Sequence, residues 1–219
     1  MSLATNAAVK PTAFAYPAVI DEICGLKWTK LSSADLTNVA WAYYYFSVQF
    51  REKLEIARRL YPNDENLLEL DQGERNTANL SPWPGVAAAG EAMNHDEFMR
   101  RTLLLSPVED SRRTALDAHG KAYLTATRAI DDQASALSIA SYEDGGLEAV
   151  FGAILTAPTW DTPLLAAFKH FLAEHIRFDS DPDAGHGALC RHLPPDDRVL
   201  PLWTAFRTLL VSSAPALKG

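Results

Sequence analysis

The stretch from Ala34 to Leu60 constrains this chain most. Ser33 can cap a helix there, and Tyr61-Pro62-Asn63 closes it. Between Trp41 and Phe50 that helix is apolar or aromatic on nearly every side, so it is expected to be buried around most of its circumference. Only from Arg51 to Arg59 does it recover a polar face. A helix with so little solvent face needs other helices packed around it.

The rest of the chain supplies them. Helical stretches are expected at about Asn63 to Gly73 and Val86 to Leu105, separated by a Pro-rich turn at Ser81–Gly85. Ser106-Pro107 opens the next, which Gly120 is expected to interrupt, and helical periodicity resumes from Ile139 to Leu155. Thr162-Pro163 starts a helix through Ile176, and Pro194-Pro195 precedes a last one ending near Ser213. With no convincing alternating strand, the prediction is an all-α bundle of about seven helices. Residues 1–15 lack periodicity and read as a flexible N-terminal segment; residues 16–219 read as one domain.

Composition narrows the function classes. A formal net charge of -8 speaks against nucleic acid, which needs a basic footprint. No apolar run reaches the roughly 20 residues of a membrane span. No charged segment precedes an apolar run at the N-terminus, so no secretory leader is expected. Cys24 and Cys190 are too few and too far apart for a disulfide framework or a thiolate zinc site, and a reducing cytoplasm is the expected location.

Several residues could carry metal chemistry. His175 and Asp179 are four apart, share a helix face and sit among Phe168, Phe171, Leu172, Ile176 and Phe178. An imidazole with a carboxylate suits iron, manganese or zinc. His186 returns to the same face about three turns on, although Pro182 and Gly185 interrupt the helix between them. It can alternatively decorate a loop, with Asp181 or Asp183 capping the following helix. Glu143 stands near a helix end after Ser141-Tyr142. Glu69 has Leu67, Leu68 and Leu70 as neighbours, whereas Asp71 and Glu74 have more polar ones, so Glu69 reads as the better inward carboxylate. His95 precedes the amphipathic Phe98, Met99 and Leu103. Taken singly, each is more commonly a structural residue.

Together, the order of carboxylate, His, carboxylate, His-x-x-x-Asp and a further His resembles the haem-oxygenase-like di-iron oxidases. That superfamily shares its fold with TenA-type proteins and with the pyrroloquinoline-quinone biosynthesis oxidase. Leu165 to Leu193 is similar to the family's C-terminal iron motif, Asn66 to Glu74 with Asn94-His95 to its first ligand helix, and Ser141-Tyr142-Glu143 to its central one. The resemblance implies a haem-oxygenase-like bundle holding two non-haem irons through Glu69, His95, Glu143, His175, Asp179 and His186, with Glu74 as the alternative to Glu69. It further implies reductive O2 activation and oxidation or cleavage of a small organic substrate, a carboxylic or amino acid among the options, with an external electron donor. Trp41, Tyr45 and Gln49 lie on one helix face that could line the substrate pocket, or simply pack as core.

Two rivals stand beside this reading. A TenA-type hydrolase on the same fold would need an activated thiol, and Cys190 lies close in sequence to His186 and His192. A non-enzymatic helical ligand-binding protein would use the same polar residues structurally. Exposed aromatic helix faces would also suit a homodimer.

Overall fold

The computed structural model of the chain describes residues 14–179 and 185–218, with the Asp179 side chain excepted. Among the described residues there are ten α-helices, more than the seven or so expected, and no named strand. They are α1 (Tyr16–Cys24), α2 (Ser33–Leu60), α3 (Glu65–Arg75), α4 (His95–Thr102), α5 (Asp110–Arg128), α6 (Asp132–Glu143), α7 (Gly146–Leu155), α8 (Pro163–Asp179), α9 (His186–Cys190) and α10 (Leu200–Ser213). Of the expected flexible segment, residues 1–13 lie outside the described residues. No helix among those described is long and apolar enough to cross a membrane.

Helix α2 is the axis of the bundle. Its buried residues run around the circumference, from Leu36, Val39 and Tyr43 to Phe46, Gln49, Phe50 and Lys53. Helices α3, α4, α5, α6, α8 and α10 all pack on it. Its N-cap is Ser32 rather than Ser33. The Ser32 hydroxyl accepts from the Asp35 amide at 3.1 Å, and the Asp35 carboxylate accepts from the Ser32 amide at 3.1 Å, a reciprocal cap. Helix α6 is the second inner helix. Every residue from Ala134 to Glu143 is buried, and its small side chains (Ala134, Ser135, Ala136, Ser138, Ala140, Ser141) let α2 approach closely.

Three expectations about helices change. Val86 to Asn94 is not helical: Gly85 and Gly90 take positive φ, and Thr77 pairs with Met93 and Trp83 with Ala87 in short antiparallel bridges. The alanines at 87–89 favour helix, but the turn residues on either side override that weak preference. Gly120 does not interrupt α5; it sits where the Tyr45 ring of α2 presses against that helix. The stretch from Ile139 to Leu155 divides at Asp144-Gly145 into α6 and α7.

Candidate metal centre

Five ionisable side chains from five helices converge inside the bundle. Glu74 comes from the last turn of α3, His95 from the start of α4, Glu143 from the end of α6, His175 from the middle of α8 and His186 from the start of α9. Glu74, His95, Glu143 and His175 are each under 8 % exposed. They form two groups with one member in common: Glu74, His95 and His175, and Glu74, Glu143 and His186. Glu74 Oε2 lies 2.6 Å from His95 Nδ1, which lies 2.9 Å from His175 Nε2. The other Glu74 oxygen, Oε1, lies 3.0 Å from His186 Nδ1, and Glu143 Oε2 is 3.4 Å from that same nitrogen.

Three of these separations, 2.9, 3.0 and 3.4 Å, are close to those of ligand atoms around a shared ion, while the 2.6 Å between Glu74 and His95 is a charge-assisted hydrogen-bond length. Two donors each about 2.1 Å from one metal, at tetrahedral or octahedral angles, stand roughly 3.0–3.4 Å apart. Hydrogen bonding alone serves the first group poorly. The His175 Nδ1–H donates to the Phe171 carbonyl at 2.8 Å, so a neutral His175 turns a bare Nε2 lone pair towards His95. A single proton on His95 Nδ1 cannot serve both that lone pair and the Glu74 carboxylate well. A cation serves all three.

The electrostatics of the cluster are those of buried ionisable groups facing one another. Glu74 and Glu143 are buried carboxylates at the C-terminal ends of helices, where the helix dipole opposes negative charge. Burial alone would push the Glu74 carboxyl up, but His95 and His186 facing it outweigh this and hold it well below the usual carboxylate range. Burial, with His95 beside it, pushes His175 down to about 3, which keeps the imidazole neutral and fit to ligate. Phe171 stacks on the His175 ring at 4.1 Å between centroids, and Phe151 meets it edge-on. Beside the cluster is a cavity of about 20 Å³, bounded by Tyr43, Phe46, Phe50 and Leu147 together with Glu74, His95, Glu143 and His175. That holds a water-sized guest.

Of the residues the sequence nominates, His95, Glu143, His175 and His186 are thus brought together. Glu69 is a correction. It lies on the exposed side of α3, while Leu67, Leu70 and Glu74 form the buried side, so Glu74 occupies the inward position. Sequence neighbours suggest Glu69; helical spacing from Leu67 and Leu70 points to Glu74. Asp179 stands one turn beyond His175 at the end of α8, and its side chain lies outside the described residues, as do Asp181 and Asp183. Trp41, Tyr45 and Gln49 do not bound the cavity at the cluster. Tyr45 donates to Asp117 and Gln49 accepts from Tyr123, both on α5, while the cluster meets the α2 face made by Tyr43, Phe46, Ser47 and Phe50. Asn79, which no sequence pattern singles out, places its Oδ1 3.2 Å from His95 Nε2.

No family model matches the chain, nor does any curated protein or any solved structure.

Proposed function

We propose that this chain is a non-haem di-iron oxidase or oxygenase of the haem-oxygenase-like class. In this reading Glu74, His95 and His175 would hold one iron, and Glu74, Glu143 and His186 would hold the other. Asp179 is a further candidate ligand from its spacing to His175. The observation that carries the reading is one buried carboxylate shared by two converging groups of donors. Two carboxylates and three imidazoles leave a surplus of positive charge on two divalent ions, which an anionic substrate or an oxygen-derived ligand would balance. Iron bound there would supply the reductive O2 chemistry that oxidises or cleaves a small organic substrate. The protein's part is to fix the ligand atoms and to exclude bulk water with the Tyr43, Phe46, Phe50 and Phe171 rings.

The test is anaerobic Fe(II) titration of the purified chain, with elemental analysis after desalting and stopped-flow absorbance on mixing with O2. Uptake of about two irons per chain and an oxygen-dependent transient are expected. A fully helical protein that takes up no iron would overturn this reading in favour of a non-enzymatic helical protein.

A further inference from the structure

The two histidines of the first group face the same chemical problem and solve it differently. An imidazole ligates through one nitrogen only when the other holds the proton, and an acceptor beside that other nitrogen fixes the arrangement. His175 lies in the middle of α8 and uses the carbonyl one turn back, at Phe171. His95 is the first residue of α4, so its own helix offers no carbonyl one turn earlier. Its acceptor has to come from elsewhere.

We infer that Asn79 is the positioning residue for His95. It would accept from Nε2–H and so leave the lone pair on Nδ1, the atom that faces Glu74 and His175. This rests on the dinuclear reading above. Asn79 is partly exposed, yet it stands on a well-anchored turn within the excursion that joins α3 to α4. Thr77 and Met93 exchange two backbone hydrogen bonds at 3.0 and 3.4 Å, closing the base of the excursion. The Asn79 amide donates to Thr77 Oγ1 at 3.2 Å. One residue on, the Leu80 carbonyl accepts from His170 Nε2 at 3.0 Å, and the His170 ring stacks on Trp83 at 4.4 Å between centroids. The segment that links Glu74 to His95 in sequence therefore also carries the group that orients His95. His170 serves as an anchor for that segment rather than as a ligand.

The experiment is Co(II) titration of the full chain, followed by visible ligand-field absorption, for wild type, Asn79→Leu and Asn79→Asp. Asn79→Leu should weaken one of the two Co(II) sites roughly 10–100-fold and alter its spectrum, with helical content near wild type. Asp can only accept, so Asn79→Asp should restore affinity and spectrum. If Asn79→Leu misfolds, Asn79→Ala takes its place with the same expectation. Wild-type affinity and spectrum in Asn79→Leu would overturn the inference while leaving the dinuclear reading intact. So would an Asn79→Asp variant as weak as Asn79→Leu. A wild-type chain that binds no Co(II) or Fe(II) would instead remove the dinuclear reading and this inference with it.

Discussion

The two sides of α2 bury polar groups in contrasting ways. Towards α5, the Tyr45 hydroxyl donates to Asp117 at 2.9 Å, the Tyr123 hydroxyl to Gln49 Oε1 at 2.9 Å and the Lys53 ammonium to the Thr127 carbonyl at 2.7 Å. These hydroxyl and ammonium donors each find an acceptor, while the Gln49 Nε2, the Trp41 Nε1 and, on α5, the His119 Nδ1 are buried without a hydrogen-bond partner. Towards α3, α4, α8 and α9, two carboxylates and three imidazoles face one another instead, with Glu74 against His95 and His186, and His95 against His175. Burial and polarity are alike on both sides. What differs is the kind of group: donors matched to acceptors on the first side, and side chains that can each ligate a cation on the second.

The largest effect should come from removing the shared carboxylate. Glu74→Gln keeps the shape but takes a negative charge and a charged donor from both positions at once. Metal retained after desalting should fall at both sites, by more than the roughly 10–100-fold expected for loss of an outer partner. Glu143→Gln should weaken only the site that includes His186. If Glu74→Gln still holds a full complement, Glu74 is not shared between the two sites. Its circular dichroism without denaturant should keep the helical signal, although taking one partner from a buried charge cluster should lower the urea midpoint.

The opposite side of α2 should respond in stability rather than in metal content. A Cβ built on Gly120 would fall 2.1 Å from the Tyr45 ring, closer than van der Waals contact allows. Gly120→Ala therefore has to move α5 or displace Tyr45 from Asp117. Its cost should be roughly 1–3 kcal/mol, read from the urea midpoint, since overpacking a filled core forces such shifts. The folded fraction should bind metal as wild type does. An unchanged midpoint would mean that α2 and α5 are not locked together at this point.

These contrasts explain what a sequence of this kind can disclose. The apolar band from Trp41 to Phe50 marks α2 as central because a helix lacking a polar face leaves few other places to put it. His175 can be nominated because it is an ionisable group set among apolar neighbours, which elementary burial energetics disfavours without a partner, whereas His95, Glu143 and His186 are nominated only by the order in which carboxylates and histidines follow one another along the chain. Adjacency along the chain favours Glu69 over Glu74, and position around the helix reverses that order. The face of α2 is ambiguous for a different reason: Tyr45 and Gln49 look as suited to a pocket as Tyr43 and Ser47 until the neighbouring helices are placed. Asn79 gives no signal of its own. Its role depends on the excursion between α3 and α4 folding back on His95, a non-local event that periodicity cannot register.

Lys53 supplies the smallest and most discriminating contrast, because it is a buried cation on the side away from the cluster. Its side chain is almost wholly enclosed, and burial lowers its pKa from the ordinary lysine value although Glu52 and Asp132 pull it back up. The Thr127 carbonyl it serves also accepts from the Ile130 amide at 3.3 Å, so that oxygen is not stranded when the ammonium goes. Lys53→Met removes a charge-assisted hydrogen bond and a desolvation penalty together, and the stem packs as before. The urea midpoint should then correspond to a change within about 1 kcal/mol, with metal stoichiometry unaltered. A loss several times larger would show that the ammonium holds the end of α5 in place. The α5 side would then depend on a fixed positive charge as the cluster side does in the dinuclear reading, and the contrast between the two faces would narrow to which cation each one uses.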